Sequence, residues 1–193
     1  MIKVFLTTLL STLLAGCSVT ESVPEIQYYL LDAMPTEQEI KLSTKQINIP
    51  PIDLPDYLQQ PNLVMRGEQQ QMHMARYHSW ADNLGDSIRR VMAIELSQPT
   101  SDTNKANTCS PCVNLYLSIQ HFYPTQDGQV ILSGEFTIEQ SSQMKKHTQP
   151  FFFSQPLKAS GYGQSVVQMR KMLSLLANQI KEQMVKQVKV EKN

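Results

Sequence analysis

The side chains best able to do chemistry in this sequence are few and far apart. Cys109-Ser110-Pro111-Cys112 puts two thiols three positions apart. In an oxidising compartment such a pair closes into a small disulfide, whereas a thioredoxin-like redox site needs its first cysteine at a helix start, where the dipole lowers the thiol pKa. A strand-like alternation begins at Val113, and the polar stretch Ser97 to Thr108 precedes the pair. That context fits a structural staple better than a redox enzyme, with a free or partner-linked pair still open. The histidines at 73, 78, 121 and 147 fall in different elements, none at metal-ligand spacing from a cysteine or carboxylate, so no metal is expected. Asp53 and Asp56 stand on either side of Pro55 and read as turn or capping residues, since their spacing alone does not make a general acid and base. Without a nucleophile elbow, a phosphate-binding loop, a dinucleotide turn or a His-Glu-x-x-His motif, the sequence predicts neither an enzyme nor a cofactor.

The third cysteine has a different context. Met1-Ile2-Lys3 is a short basic start, Val4 to Leu14 an apolar run of eleven, and Leu14-Ala15-Gly16-Cys17 ends it with small residues. Eleven helical residues rise about 16 Å, roughly half the hydrocarbon core of a bilayer, so the segment reads as an export signal and not as a membrane span. Leu-Ala-Gly-Cys resembles the lipobox of bacterial lipoproteins. That resemblance implies cleavage after residue 16, lipidation of Cys17 with acyl chains such as palmitate, and a membrane anchor. More than one acyl chain is needed for stable attachment. Ser18, where such lipoproteins carry aspartate for inner-membrane retention, implies the outer membrane by the same resemblance. Residues 17–26 then form the lipidated N-terminus and a short tether without hydrophobic pattern, interrupted by Pro24.

The remainder, residues 27–193, is expected to be one domain, because the 177 residues left after the signal suffice for one core. Seventeen basic and seventeen acidic residues cancel, with no long block of one sign, which excludes a nucleic-acid footprint. No segment repeats at a fixed period.

The elements that would hold these residues are set by periodicity. Gln27 to Leu31 reads as a first strand, Asp32 to Lys45 as a connection, and Gln46 to about Ile49 as a strand stopped by Pro50-Pro51. Leu63 to Arg66 and Gln71 to Ala75 suggest a hairpin around Gly67. Asp82 is placed to cap a helix from about Asn83 to Ser97, closed by Pro99, with Leu84, Ile88, Val91, Met92 and Leu96 on its apolar face; Trp80 precedes it as a core-filling staple. Val113, Leu115, Leu117 and Ile119 alternate with polar residues, as do Val130, Leu132, Gly134, Phe136 and Ile138, and Asp127-Gly128 between them suits a hairpin turn. His147 to Gln155 is a further strand. A final helix, about Gly163 to Lys189, carries Val166, Met169, Leu173, Leu176, Ile180, Met184 and Val188 at three- and four-residue spacing; it should pack on the sheet as far as Ile180 and be solvated or partner-facing beyond. The order of elements predicts an α+β fold, a mixed, mostly antiparallel sheet with two main helices packed on one face.

Taken in order, Leu14-Ala15-Gly16-Cys17, Tyr28-Tyr29-Leu30-Leu31, Leu54-Pro55-Asp56-Tyr57-Leu58 with Val64 and Arg66, Trp80-Ala81-Asp82-Asn83-Leu84, and Asp127-Gly128-Gln129-Val130-Ile131-Leu132-Ser133-Gly134-Glu135 resemble the PqiC-like auxiliary lipoproteins of ABC-type transport systems. The resemblance implies a non-enzymatic envelope protein at the periplasmic face of the outer membrane. Its implied partner is a periplasm-spanning mammalian-cell-entry-domain protein, with which it moves phospholipid and supports membrane integrity; self-association is open. It gives the Cys109 and Cys112 pair no role. Leu54, Tyr57 and Leu58 are expected partner contacts if their loop is exposed; the alternative is that Leu54 and Leu58 plug the sheet edge. A second reading of function is a monomeric carrier with an apolar cavity of its own.

Overall fold

The computed structural model describes residues 23–31, 47–96, 113–140 and 145–190. The signal, Cys17, Pro99, and Cys109 and Cys112 lie outside the described residues, so the lipidation and the staple remain expectations. The strands are β1 (Gln27–Tyr29), β2 (Ile47–Asn48), β3 (Asn62–Arg66), β4 (Met72–Trp80), β5 (Val113–Pro124), β6 (Gln129–Gln140) and β7 (Lys145–Pro156); the helices are α1 (Leu84–Leu96) and α2 (Tyr162–Val190). The class is α+β with mostly antiparallel pairing, as expected, but divided into two sheets, β1-β4-β3 and β2-β5-β6-β7. They are joined where Arg66 bridges Thr125 and the Gln126 N–H donates to the Arg66 carbonyl.

The larger sheet obeys its alternating sequence. Leu115, Leu117 and Ile119 on β5 and Val130, Leu132, Phe136 and Ile138 on β6 are buried. The alternation on β5 breaks between Ile119 and His121, where the register shifts past Gln120, and beyond this bulge Phe122 and Tyr123 turn inward. Gly134 pairs with Ile119 beside the bulge, and a Cβ there would overlap the Ser118 carbonyl oxygen and lie 2.9 Å from the Ile119 Cα. Only glycine permits that approach. The expected Asp127-Gly128 turn forms, with Gly128 at φ 77°.

Strand β7 ends this sheet. The Leu157 N–H donates to the Gly128 carbonyl, and the register, which pairs Gln129 with Pro156 and Glu135 with Pro150, therefore places both prolines in pairs that do not exchange backbone hydrogen bonds. Their ring nitrogens face the outer edge, where a missing N–H costs the ladder nothing and blunts the edge against another strand. The same pair type brings side chains closest, as in the Thr137 to Thr148 hydroxyl contact at 2.8 Å and the Glu139 to Lys146 ion pair at 3.3 Å.

Helix α2 packs against β5, β6 and β7, with α1 beside it. Val166, Met169, Leu173, Leu176 and Ile180 are buried as expected, together with Ser165, Met172 and Ala177, while Val185 and Lys186 are exposed. The cap of α1 differs from expectation. The Asn83 carboxamide oxygen accepts the Asp86 N–H, so Asn83 is the cap, and Asp82 instead accepts the Asn83 N–H and pairs with Arg90 at 2.6 Å. Moving the cap one residue inward leaves Asp82 free to hold Arg90 eight positions on. Trp80 is buried, but as the last residue of a β4 that runs five residues past the end of the sequence signal.

Candidate functional site

The loop expected to meet a partner lies mostly inside the fold. Leu54 is 8% exposed and Leu58 2%. Of the two expectations for Leu54 and Leu58 the burial agrees with the plug and not with the exposed patch, because the three-residue 3-10 turn at Asp56–Leu58 directs Leu58 into the core and Leu54 packs near α1 at Gly85. Tyr57 is half-buried. Its hydroxyl donates to the carbonyl of Gln120, the residue the bulge leaves out of the ladder, and its ring lies 6.3 Å from Tyr123. Burial, and then the neighbouring Tyr123, push the Tyr57 hydroxyl up to about 12. His121 meets the same Tyr123 edge-on at 5.7 Å, and the Arg66 guanidinium stands 6.0 Å from its ring.

The other candidate residues have ordinary structural partners. Asp53 bridges Ser118, exchanging backbone hydrogen bonds with Leu117 and Ile119 and accepting the Ser118 hydroxyl at 2.8 Å. It thus extends the parallel edge begun by β2, while Asp56 opens the 3-10 turn. His121 bonds Ser133 across the hairpin at 2.8 Å. His78 contacts the Tyr29 hydroxyl at 2.9 Å through Nδ1 and stacks on Tyr162 at 4.1 Å. Among the described residues no three His, Cys, Asp or Glu side chains converge to hold a metal ion.

The His78 stack carries the small sheet to the start of α2, a connection with no periodic signal in the sequence. Beside it opens a cleft of about 390 Å³, walled by Met65 at the end of β3, by Pro124, Thr125, Gln126 and Gly128 at the β5–β6 turn, and by Leu157, Ala159 to Tyr162 and Ser165. Gly161, at φ 107°, turns the chain into the helix. Carboxylates, lysines and histidines are missing from that wall, which offers apolar surface and hydroxyls, a lining suited to contact more than to proton transfer. Within the core a void of about 10 Å³ lies between Leu58, Leu63, Trp80, Phe122 and Met169.

A second constellation missed by sequence reasoning clamps the helices. Arg170 Nη1 donates to Glu95 Oε1 at 2.7 Å and to Ser174 Oγ at 2.9 Å, and Ser174 Oγ donates to the same carboxylate at 2.8 Å. Burial alone would raise Glu95, yet the Ser174 hydroxyl and the Arg170 guanidinium outweigh it and hold the carboxyl below 4.5. Its signal is present in outline, as one acidic residue near the end of α1 and one arginine inside α2, but no rule of spacing links positions 75 apart.

Among the described residues no helix is long and apolar enough to cross a membrane. The chain is similar in fold to two crystal structures. One, of an uncharacterized protein, matches with a TM-score of 0.68 at 20% identity over 83% of this chain and 99% of the other. The second is a Xanthomonas campestris protein assigned to the family DUF330, with a TM-score of 0.60 at 14% identity and the same coverage. No curated protein matches the sequence. The model of the ABC-type transport auxiliary lipoprotein component matches residues 28–181, which take in both sheets, the cleft and the buried length of α2. The chain belongs to that family of transport auxiliary lipoproteins.

Proposed function

We propose that this chain is the lipid-anchored adaptor of an intermembrane phospholipid transport system. Cys17 holds it at the periplasmic face of the outer membrane, where it docks a periplasm-spanning mammalian-cell-entry-domain protein. The family match over residues 28–181 carries the reading, and the Leu14-Ala15-Gly16-Cys17 motif upstream supports the anchor. An adaptor needs a rigid body and accessible surface more than reacting groups. A dense core, two clamped helices and a contact-type cleft accord with that need. Anchoring also raises the local concentration at which a periplasm-spanning partner meets the domain.

The carrier reading has the 390 Å³ cleft in its favour. That volume is at the small end of sites for drug-sized ligands, about 300–1,000 Å³, and a two-chain phospholipid is larger than such ligands. The adaptor reading is therefore preferred.

Crosslinking in outer-membrane fractions and subsequent extraction separate the two. A mammalian-cell-entry-domain protein should be captured with the chain, and Cys17→Ser should shift the chain to the soluble fraction and reduce the captured pair several-fold. Stoichiometric bound phospholipid without that partner would instead make the protein a carrier.

A further inference from the structure

Ten large apolar side chains are strongly exposed among the described residues, and four of them, Val23, Ile26, Tyr28 and Leu30, fall within eight consecutive positions. The last three alternate along the chain with Gln27, Tyr29 and Leu31. Leu31 is 2% exposed and Tyr29 turns toward His78, whereas Tyr28 is 66% and Leu30 58% exposed. Strand β1 is thus two-faced, with one side tied into the domain and the other an uncovered apolar strip. It is also the outermost strand of its sheet.

The neighbouring strand β4 carries a cation. Tyr28 pairs with Ser79 on β4, and two residues earlier on that strand Tyr77 has the Arg76 guanidinium 5.5 Å from its ring centroid. Aliphatic side chains, tyrosines and an arginine form the composition that favours the boundary between acyl chains and phosphate headgroups. Glu25 is the single carboxylate from residue 23 to 31.

Position in the chain selects the occupant. Ile26 is nine residues after Cys17, and nine extended residues reach at most about 30 Å. A lipid on Cys17 would keep the strip permanently within that distance of a bilayer surface, whereas a protein partner must arrive from solution. We propose that the apolar strip Ile26, Tyr28 and Leu30, on and immediately beside β1, is a membrane-seating surface that rests on the phospholipid boundary and fixes the orientation of the domain. The inference rests on the anchor at Cys17. Seating by β1 turns the anchored chain from a body swinging on a tether into one presented at a set angle, with the opposite parts directed into the periplasm.

The test uses the full mature chain in vesicles of phosphatidylethanolamine and phosphatidylglycerol with dibrominated acyl chains, which quench nearby tryptophan. Tyr28→Trp on the strip is compared with Phe152→Trp, equally exposed on β7, each corrected for the shared Trp80. Quenching should be several-fold stronger at position 28, with emission shifted to the blue, and Leu30→Glu in the Tyr28→Trp chain should lower it toward the Phe152→Trp level. Mass spectrometry of Cys17 separates the two ways to fail. If Cys17 carries acyl chains and the chain remains on vesicles while Tyr28→Trp is unquenched, or quenched no more than Phe152→Trp, the seating surface is wrong and the anchor stands. A blue shift without quenching would overturn it in favour of contact between copies. If Cys17 is not acylated, the anchor falls and the proposal with it.

Discussion

The larger sheet has three strands of twelve residues, each paired antiparallel along its length, whereas the smaller has a parallel edge strand of three and a ladder between β3 and β4 that slips after Asn62. In the first, the central strand β6 is paired along its whole length on both sides, and burial keeps a period of two except at the Gln120 bulge. In the second, the chain is held by particular contacts: the Tyr29 hydroxyl on His78, the His78 ring on Tyr162, and the Ala81 N–H on the Tyr29 carbonyl. The larger sheet supplies the frame; the smaller presents the apolar strip and lends Met65 to a cleft otherwise walled by the β5–β6 turn and the approach to α2. Rigidity and contact surface are therefore separated in space, and substitutions in the two sheets should differ in cost.

Two glycines give the sharpest contrast. At Gly134 a new methyl group meets backbone, the Ser118 carbonyl and the Ile119 Cα, which cannot move without breaking the β5–β6 register. Gly134→Ala should cost about 3 kcal/mol and lower Tm by roughly 6 °C or more, measured by thermal unfolding with a urea titration alongside. At Gly67 the same methyl would clash with the ring of exposed His73, which can rotate away, and would make an ordinary contact with the Gln126 side chain at 3.5 Å. Gly67→Ala should change stability by no more than about 0.5 kcal/mol. Equal losses at the two sites would erase the distinction between frame and contact sheet.

The contact between helices can be probed by pH. Because the Glu95 carboxyl titrates below its ordinary 4.5 in the folded chain, the unfolded chain takes up that proton first as pH falls. The stabilisation is complete above pH 4.5 and is lost as pH descends through the lower, folded value. Both Glu95 and Arg170 are 22% exposed, so solvent screens part of the interaction, and Glu95→Gln should cost about 1 kcal/mol at neutral pH. Wild type and variant should converge in urea midpoints below pH 4.5. A constant gap down to strong acid would mean that packing, and not charge, sets the contribution of this residue to the frame.

Legibility in the sequence divides along the same line. The β5–β6 hairpin, the buried stripe of α2 to Ile180 and the apolar face of α1 are readable because each is a local period meeting one buried face. Strand β4 beyond Ala75 is not, since Arg76, Tyr77 and His78 carry no alternation: the β3–β4 register shifts across this stretch, and β1 pairs only with His78 to Trp80. Leu54 and Leu58 stay undecided in the sequence for a related reason: a proline-bounded loop reads equally as an exposed contact or as a plug until the turn at Asp56 directs Leu58 into the core. Tyr57 stands out in the sequence as a notable residue, but its carbonyl acceptor exists because of a bulge at Gln120 that no turn residue announces. The cleft depends on three segments far apart in sequence, so nothing local foretells it.

The smallest expected effect concerns the turn that joins β3 to β4. Gln69 and Gln70 both have positive φ, 52° and 64°, a left-handed conformation that costs a residue with a Cβ about 1 kcal/mol. A hairpin of the larger sheet meets the same demand with glycine, at Gly128. Gln70→Gly would remove the steric cost but add chain entropy to the unfolded state worth roughly 0.5–1 kcal/mol, and the two nearly cancel. A net gain of about 0.5 kcal/mol or less is expected, readable as a small rise in the urea midpoint at unchanged slope. A loss greater than about 1 kcal/mol would show that the Gln70 side chain is held by contacts as specific as those at Gly134, and the small sheet would then share the frame's intolerance instead of contrasting with it.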